Sequence, residues 1–258
     1  MKKRVLNAMA AIMIALTGVT SMTGCSFNEI KAKLTGDTAK ASEPTSNVCL
    51  VVSPTANQHK PDVSLAYNEI YDSCYSYAYK CCLVDDGAPY LALEDDLTNA
   101  DRIDGSSDQN KKLDAEAYAE DFIEKAEGVQ ALTAEKDTIK AIRLAADTLD
   151  SCKGDKTIVL IDNGISTTGI VSFKTFQNFD PDKLIGALSD NDYAALDNVD
   201  IVWYGLGDTV APQNELSNDD LNNLQSFWEK YLKNCGAANV KFPKKVAVNE
   251  TADNSALP

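Results

Sequence analysis

Asp162 is the residue best placed to do chemistry. It follows a continuous apolar, β-branched run, Thr157–Ile161, and precedes Asn163, Gly164 and a hydroxyl-rich stretch that ends at Gly169. Such a run reads as a strand buried on both faces. In an open α/β sheet, ligands bind at the carboxyl ends of the strands, which is where Asp162 stands. The loops carrying His59, Asn163, Ser166 and Asp208 are the expected ligand-binding loops.

The catalytic chemistries lack their partners. Serine hydrolysis usually needs a base oriented by a third group; His59 is the one histidine, and no G-x-S-x-G elbow is present. As a lone histidine on a polar loop, His59 reads as solvated or as a ligand contact. Gly164-Ile165-Ser166-Thr167-Thr168-Gly169 lacks the Gly-Lys-Ser/Thr ending of a phosphate loop, and Gly205-Leu206-Gly207 lacks the third glycine of a dinucleotide fingerprint. Paired carboxylates would suit a glycosidase, but 39 acidic residues single out no pair. No CxxC pair accompanies the one histidine, which argues against zinc. The acidic run Glu94-Asp95-Asp96 with Asp101 and Asp104 lacks the spacing and closing Glu of an EF-hand. The expectation is a binding module rather than an enzyme, with an extracytoplasmic hydrolase as the alternative.

Several elements must position Asp162. Thr138–Leu149 is an amphipathic helix with Ile139, Ile142, Ala146 and Leu149 on one face, and a polar turn with Gly154 leads from it to the Asp162 strand. Val48–Val52 is a short apolar strand ending in Ser53-Pro54-Thr55-Ala56-Asn57. A helix capped by Asp62 or Ser64 is expected to run to about Tyr79. Lys80–Asp85 and Tyr90–Glu94 read as a hairpin about Asp86-Gly87-Ala88-Pro89. Residues 95–112 read as a loop, and Asp114 as the cap of a helix carrying Tyr118, Phe122 and Ala126. Pro181 opens a short helix. Val199–Tyr204 is a second buried strand, and Ser217 with Asp220 starts a helix that Gly236 stops. Asn239–Phe242 is a candidate edge strand. The alternation predicts an α/β fold: a Rossmann-like three-layer sandwich, a mostly parallel sheet with one antiparallel hairpin strand and helices on both faces.

Residues 1–24 read as a signal peptide, with Lys2, Lys3 and Arg4 before an apolar stretch too short for an ordinary transmembrane helix. Met22-Thr23-Gly24-Cys25 resembles a bacterial lipobox, which implies cleavage before Cys25 and lipidation of that cysteine. Residues 25–46 then form a flexible tether, 47–242 the folded domain, and 243–258 a polar linker or tail. The chain carries a formal charge of −15; without residues 1–24 it has 21 Lys+Arg against 39 Asp+Glu, or −18. Such acidity argues against nucleic acid as a partner and against polybasic adhesion to anionic lipid, so the membrane is reached through the acyl chains. Six cysteines lie beyond Cys25, and both disulfides and buried free thiols are open readings.

Residues 137–170 resemble the middle of a von Willebrand factor A domain, in which a Thr opens a helix like Asp137–Leu149 and a strand ends in Asp-Gly, here Asp162-Asn163-Gly164. Val199–Asp208 is similar to the family's next strand, and the hairpin at 80–94 to its one antiparallel strand. The layout also resembles bacterial envelope lipoproteins in which such a domain precedes an OmpA-like wall-binding module. The resemblance implies a divalent-cation position at the top of the sheet, formed here by Ser53, Thr55, Asn57, Thr138 and Asp162. Ser53 stands where the family has Asp, and Asn57 where it has Ser. One carboxylate of two remains, and charge count is a main determinant of affinity for hard cations. Three readings follow: a degenerate, metal-free site, a weak magnesium or calcium site, or an altered polar pocket for a small ligand. No cofactor is expected under the first. The implied role is surface binding, adhesion or envelope scaffolding, with a protein or cell-wall ligand as partner.

Overall fold

A computed structural model describes residues 46–55, 58–98, 107–173, 179–210 and 215–243. Residues 1–45, read as signal peptide and tether and including Cys25, together with Asn57, Asp101, Asp104 and the residues beyond Pro243, lie outside the described residues. Among the described residues, no helix is long and apolar enough to cross a membrane.

Six strands form one sheet: β1 Ser46–Val52, β2 Tyr79–Val84, β3 Tyr90–Asp96, β4 Asp155–Ile161, β5 Val199–Tyr204 and β6 Asn239–Lys241. Their spatial order is β3-β2-β1-β4-β5-β6, and every pair is parallel except β2–β3. The helices are α1 Tyr67–Tyr75, preceded by a 3₁₀ turn, α2 Asp108–Glu127, α3 Thr138–Asp150, α4 Pro181–Gly186 and α5 Asn218–Asn234. This is the expected Rossmann-like α/β sandwich. Its strand order reverses between β1 and β4, the crevice where doubly wound sheets take ligands.

The buried strands alternate between two cores, as a period of two requires. Cys49, Val51, Cys81, Leu83, Ile158, Leu160, Ile201 and Trp203 face α3 and α5, where Phe227, Trp228 and Tyr231 fill the layer. Val48, Leu50, Val52, Cys82, Val84, Val159 and Ile161 face α1 and α2. Cys81 and Cys82 therefore point to opposite sides. All six described cysteines are free thiols, five of them buried and Cys152 half-buried. Burial pushes the Cys82 thiol up to about 12, so it is protonated at neutral pH. Lys80 is fully buried, with Nζ 2.6 Å from Asp95 of β3 and 5.5 Å from the Phe122 ring centre, which ties α2 to the sheet.

Three boundaries differ from the sequence reading. The first helix ends at Tyr75, not Tyr79: Tyr77 takes φ +53°, and the Ala78 N–H donates to the Ser73 carbonyl. The next begins at Asp108, capped by Ser107, whose hydroxyl accepts from the Asn110 N–H at 3.2 Å. Asp114 lies inside that helix. Its first turns are exposed, and a Lys112–Asp108 pair at i, i+4 decorates them, so no apolar period marks them. Asp95 and Asp96, read as the start of a loop, extend the strand expected to end at Glu94 and belong to β3. The β2–β3 pairing shifts register between Cys82 and Leu83.

Candidate functional site at the carboxyl edge of the sheet

Val84, Val52, Ile161 and Tyr204 lie side by side in register across β2, β1, β4 and β5. The next residue of each strand, Asp85, Ser53, Asp162 and Gly205, forms the carboxyl edge of the sheet. Two further ladder bonds reach into this row: the Asp85 N–H donates to Val52 O at 2.9 Å and the Asp162 N–H to Tyr204 O at 3.1 Å.

The centre of the site is an ammonium group. Lys136 precedes α3, and its side chain is buried. Its Nζ lies 2.7 Å from Asp162 Oδ2 and 3.2 Å from Gln58 Oε1, and it also donates to Asn163 Oδ1. Three acceptors match the three protons of an ammonium. The remaining groups are tied to one another. Asp162 Oδ1 accepts from the Gly164 N–H, Asn163 Oδ1 from the Ile165 N–H at 3.0 Å, and Gln58 Oε1 from the Asn163 N–H at 3.2 Å. Gln58 Nε2 donates to Ser53 O. The Lys136 backbone also straps down the hydroxyl-rich loop: its N–H donates to Thr167 Oγ1 at 2.8 Å, and its carbonyl accepts from the Thr167 and Thr168 N–H groups at 3.0 Å.

A second buried carboxylate stands at the β2 end. Asp85 Oδ1 accepts from the Asp137 N–H at 2.8 Å, and Oδ2 accepts from the Thr138 hydroxyl at 3.0 Å. These bonds seat the amino end of α3, where Asp137 is the cap and the Thr138 N–H donates to Ser166 Oγ at 3.2 Å. Burial, and next the Asp162 charge, push the Asp85 carboxyl up to about 6, against the pull of its hydrogen bonds and of Lys136.

The structure brings Ser53, Thr55, Thr138, Asp162, Asn163 and Ser166 to this edge, all buried. Thr138 bonds Asp85, and Asp162 bonds Lys136, so these two are held by different partners. Asn57 lies outside the described residues. His59 is exposed, and with Asp208 it lines a cavity on the Ile161–Tyr204 side of the site. Ser53 Oγ and Thr55 Oγ1 are buried with no hydrogen-bond partner among the described residues.

The residues at the position implied for a divalent cation do not fit one with Lys136 in place. A full positive charge already lies against Asp162, and a second cation there would meet it at close range in a buried site. Among the described residues, no three His, Cys, Asp or Glu side chains are grouped to hold a metal ion.

Sequence reasoning missed Lys136, Asp85 and Gln58. Asp85 carried a legible signal: YKCCLVD ends an apolar strand in Asp, as TIVLID does. The sequence reading ends the first hairpin strand at Asp85 and, with the turn Asp86-Gly87 beside it, gives it no role at the site. Lys136 and Gln58 sit in polar segments with no period to mark them.

Gly164 lets the Asp162 loop lie against the core. It has φ +73°, and a Cβ there would come 2.4 Å from Leu206 Cδ1 and 2.9 Å from Trp228 Nε1, which itself donates to Gly164 O at 2.9 Å. Gly164→Ala combines backbone strain with overpacking and is expected to cost about 3 kcal/mol, read from the urea midpoint. A loss below about 1 kcal/mol would show that the loop can move away from Trp228.

Compared with models of known protein families and with curated proteins, the chain matches no family model and no curated sequence.

Proposed function

We propose that this chain is an extracytoplasmic, lipid-anchored binding module of von Willebrand factor A type, in which the divalent-cation position is degenerate and a lysine supplies the positive charge. The observation that carries the reading is the Lys136 ammonium seated on Asp162, Asn163 and Gln58. The mostly parallel sheet, with its single antiparallel strand from the hairpin, supports the resemblance. So does the approach of Asp162 and the Thr138 end of α3 to one edge.

A binding role suits the site better than catalysis, because its charged groups are spent on one another. Both Asp162 oxygens, both Asp85 oxygens and all three Lys136 protons are engaged. Such a network fixes loops and leaves none of these charged groups turned toward an incoming molecule. The lipid at Cys25 and the tether give the domain its address and reach, and a protein or wall polymer is the partner class.

The two unpartnered hydroxyls, Ser53 Oγ and Thr55 Oγ1, favour a second reading, a weak magnesium or calcium site in which Lys136 swings away. A thermal melt of the full chain separates the two. With EDTA, and with millimolar magnesium, calcium or manganese, the expected melting temperature is unchanged. A ligand bound only by the folded state at a hundredfold excess over Kd adds about 2.7 kcal/mol, so a working site would be visible. A cation-dependent rise that disappears in Asp162→Ala would overturn the lysine reading and leave the metal-dependent one.

A further inference from the structure

A cavity of about 690 Å³ opens beside the Lys136 cluster, on the sheet face away from α3. Its floor is Ile161 and Tyr204, neighbours across the β4–β5 ladder, and Leu65, Pro61 and Pro243 form its sides. α1 packs mainly over β1 and β2, and among the described residues no helix packs over this end of β4 and β5. It lies at the carboxyl ends of parallel strands, next to the point where the strand order reverses. Its size and mostly apolar wall are those of small-molecule sites.

The polar groups narrow the ligand. Asn163 and Gln58 form the inner end, and Lys136 holds both in place, so the site is pre-organised. The rest of its charged lining is Asp62 and Asp208 against Lys60, with the exposed His59 beside them. The Asp162 charge is balanced by Lys136, and the whole chain carries −15. An anion entering this mouth would be repelled both locally and at long range.

We infer that this cavity binds a small molecule with a flat apolar body and an uncharged or cationic polar end, the body lying on Tyr204 and Ile161 and the polar end facing Asp62 and Asp208. This deepens the reading of the chain as a binding module and rests on it. The two tests are separate, since the melt with divalent ions probes the Asp162 edge and small organic probes report on the cavity.

The experiment uses the ¹⁵N-labelled full chain and three probes that share one body: indole, tryptamine and indole-3-acetate. Indole and tryptamine are expected to shift the amide signals of Gly205 and Asn163 saturably, and indole-3-acetate to bind at least about tenfold more weakly. Leu65→Trp, at a position already 36 % exposed, fills the mouth without opening the core and should abolish the shifts. Tyr204→Ala, which removes the half-buried ring of the floor, should weaken binding about tenfold while leaving the mouth open. No shift at these amides with either indole or tryptamine would overturn the inference. So would binding of the acetate as tight as that of the amine, or binding unchanged in both variants.

Discussion

Lys136→Met is expected to destabilise the domain by about 3–5 kcal/mol, a fall of roughly 10 °C in melting temperature, although the replacement is apolar and close in volume. The cause is what it leaves behind. Asp162 is buried, and Lys136 is its charged partner, at 2.7 Å. Without the ammonium a carboxylate must stay ionised in a poorly solvated place or take up a proton, and Asn163 Oδ1 and Gln58 Oε1 lose a donor as well. The pair itself need not be strongly stabilising, since desolvation offsets most of its attraction; breaking it from one side is what costs. The double variant Lys136→Met with Asp162→Asn separates these effects. It removes the stranded charge, while the amide oxygen introduced at that position can still accept from the Gly164 N–H, so at least half of the loss should return. Chemical denaturation of the four proteins gives the coupling energy directly. A single-variant loss below about 1 kcal/mol, or a double variant no better than the single, would show that Lys136 does not neutralise Asp162 in the folded chain.

Asp85 is expected to make the domain less stable at neutral than at mildly acidic pH. The carboxyl is raised from 3.8 to about 6 in the folded state. The folded protein therefore binds more protons than the unfolded chain between those values. The favourable contribution is fully present below 3.8 and is lost as pH rises through 6. At about 1.36 kcal/mol per pKa unit, the difference between pH 3.8 and pH 7 is about 3 kcal/mol from this group. Other acids titrate in the same range, and the acidic surface as a whole relaxes as pH falls, so the test is a difference. Asp85→Asn keeps an acceptor for the Asp137 N–H, and the Thr138 hydroxyl can turn to accept from the new amide. Its stability curve should lack the extra fall between about pH 4 and 6.5 that the parent shows. Parallel curves for the two proteins across that window would mean that Asp85 titrates like an ordinary surface carboxylate.

These two residues mark where the sequence was legible and where it was not. β4 and β5 read correctly because an unbroken β-branched run has few other uses, and α3 because four apolar residues fall on one face. Register then follows, since a slip of one residue would turn Cys49, Val51, Ile158 and Leu160 into the wrong core. Asp162 was found because it directly follows such a strand. Lys136 was not, because a buried lysine is spelled like a surface one; only the three acceptors around it, contributed by residues 58, 162 and 163, tell them apart. Asp85 was hidden by the turn chemistry beside it. The start of α2 was missed for the opposite reason, since its first turns face water and carry no apolar stripe.

The acids that close β3 have a consequence for how copies of the domain behave when crowded. An outermost strand presents unpaired backbone donors and acceptors, and a neighbouring molecule can add a strand to it. Here that strand ends in Glu94, Asp95 and Asp96, and its pairing with β2 slips register midway. Asp95 is paired with Lys80, but a second copy approaching in the same way would set the exposed Glu94 and Asp96 against their counterparts along a strand whose pairing is also irregular. The opposite border, β6, is only three residues long and is followed within two residues by Pro243, which has no N–H to donate. Both borders of the sheet thus discourage strand addition. Copies at high local density are thereby kept from joining sheet to sheet.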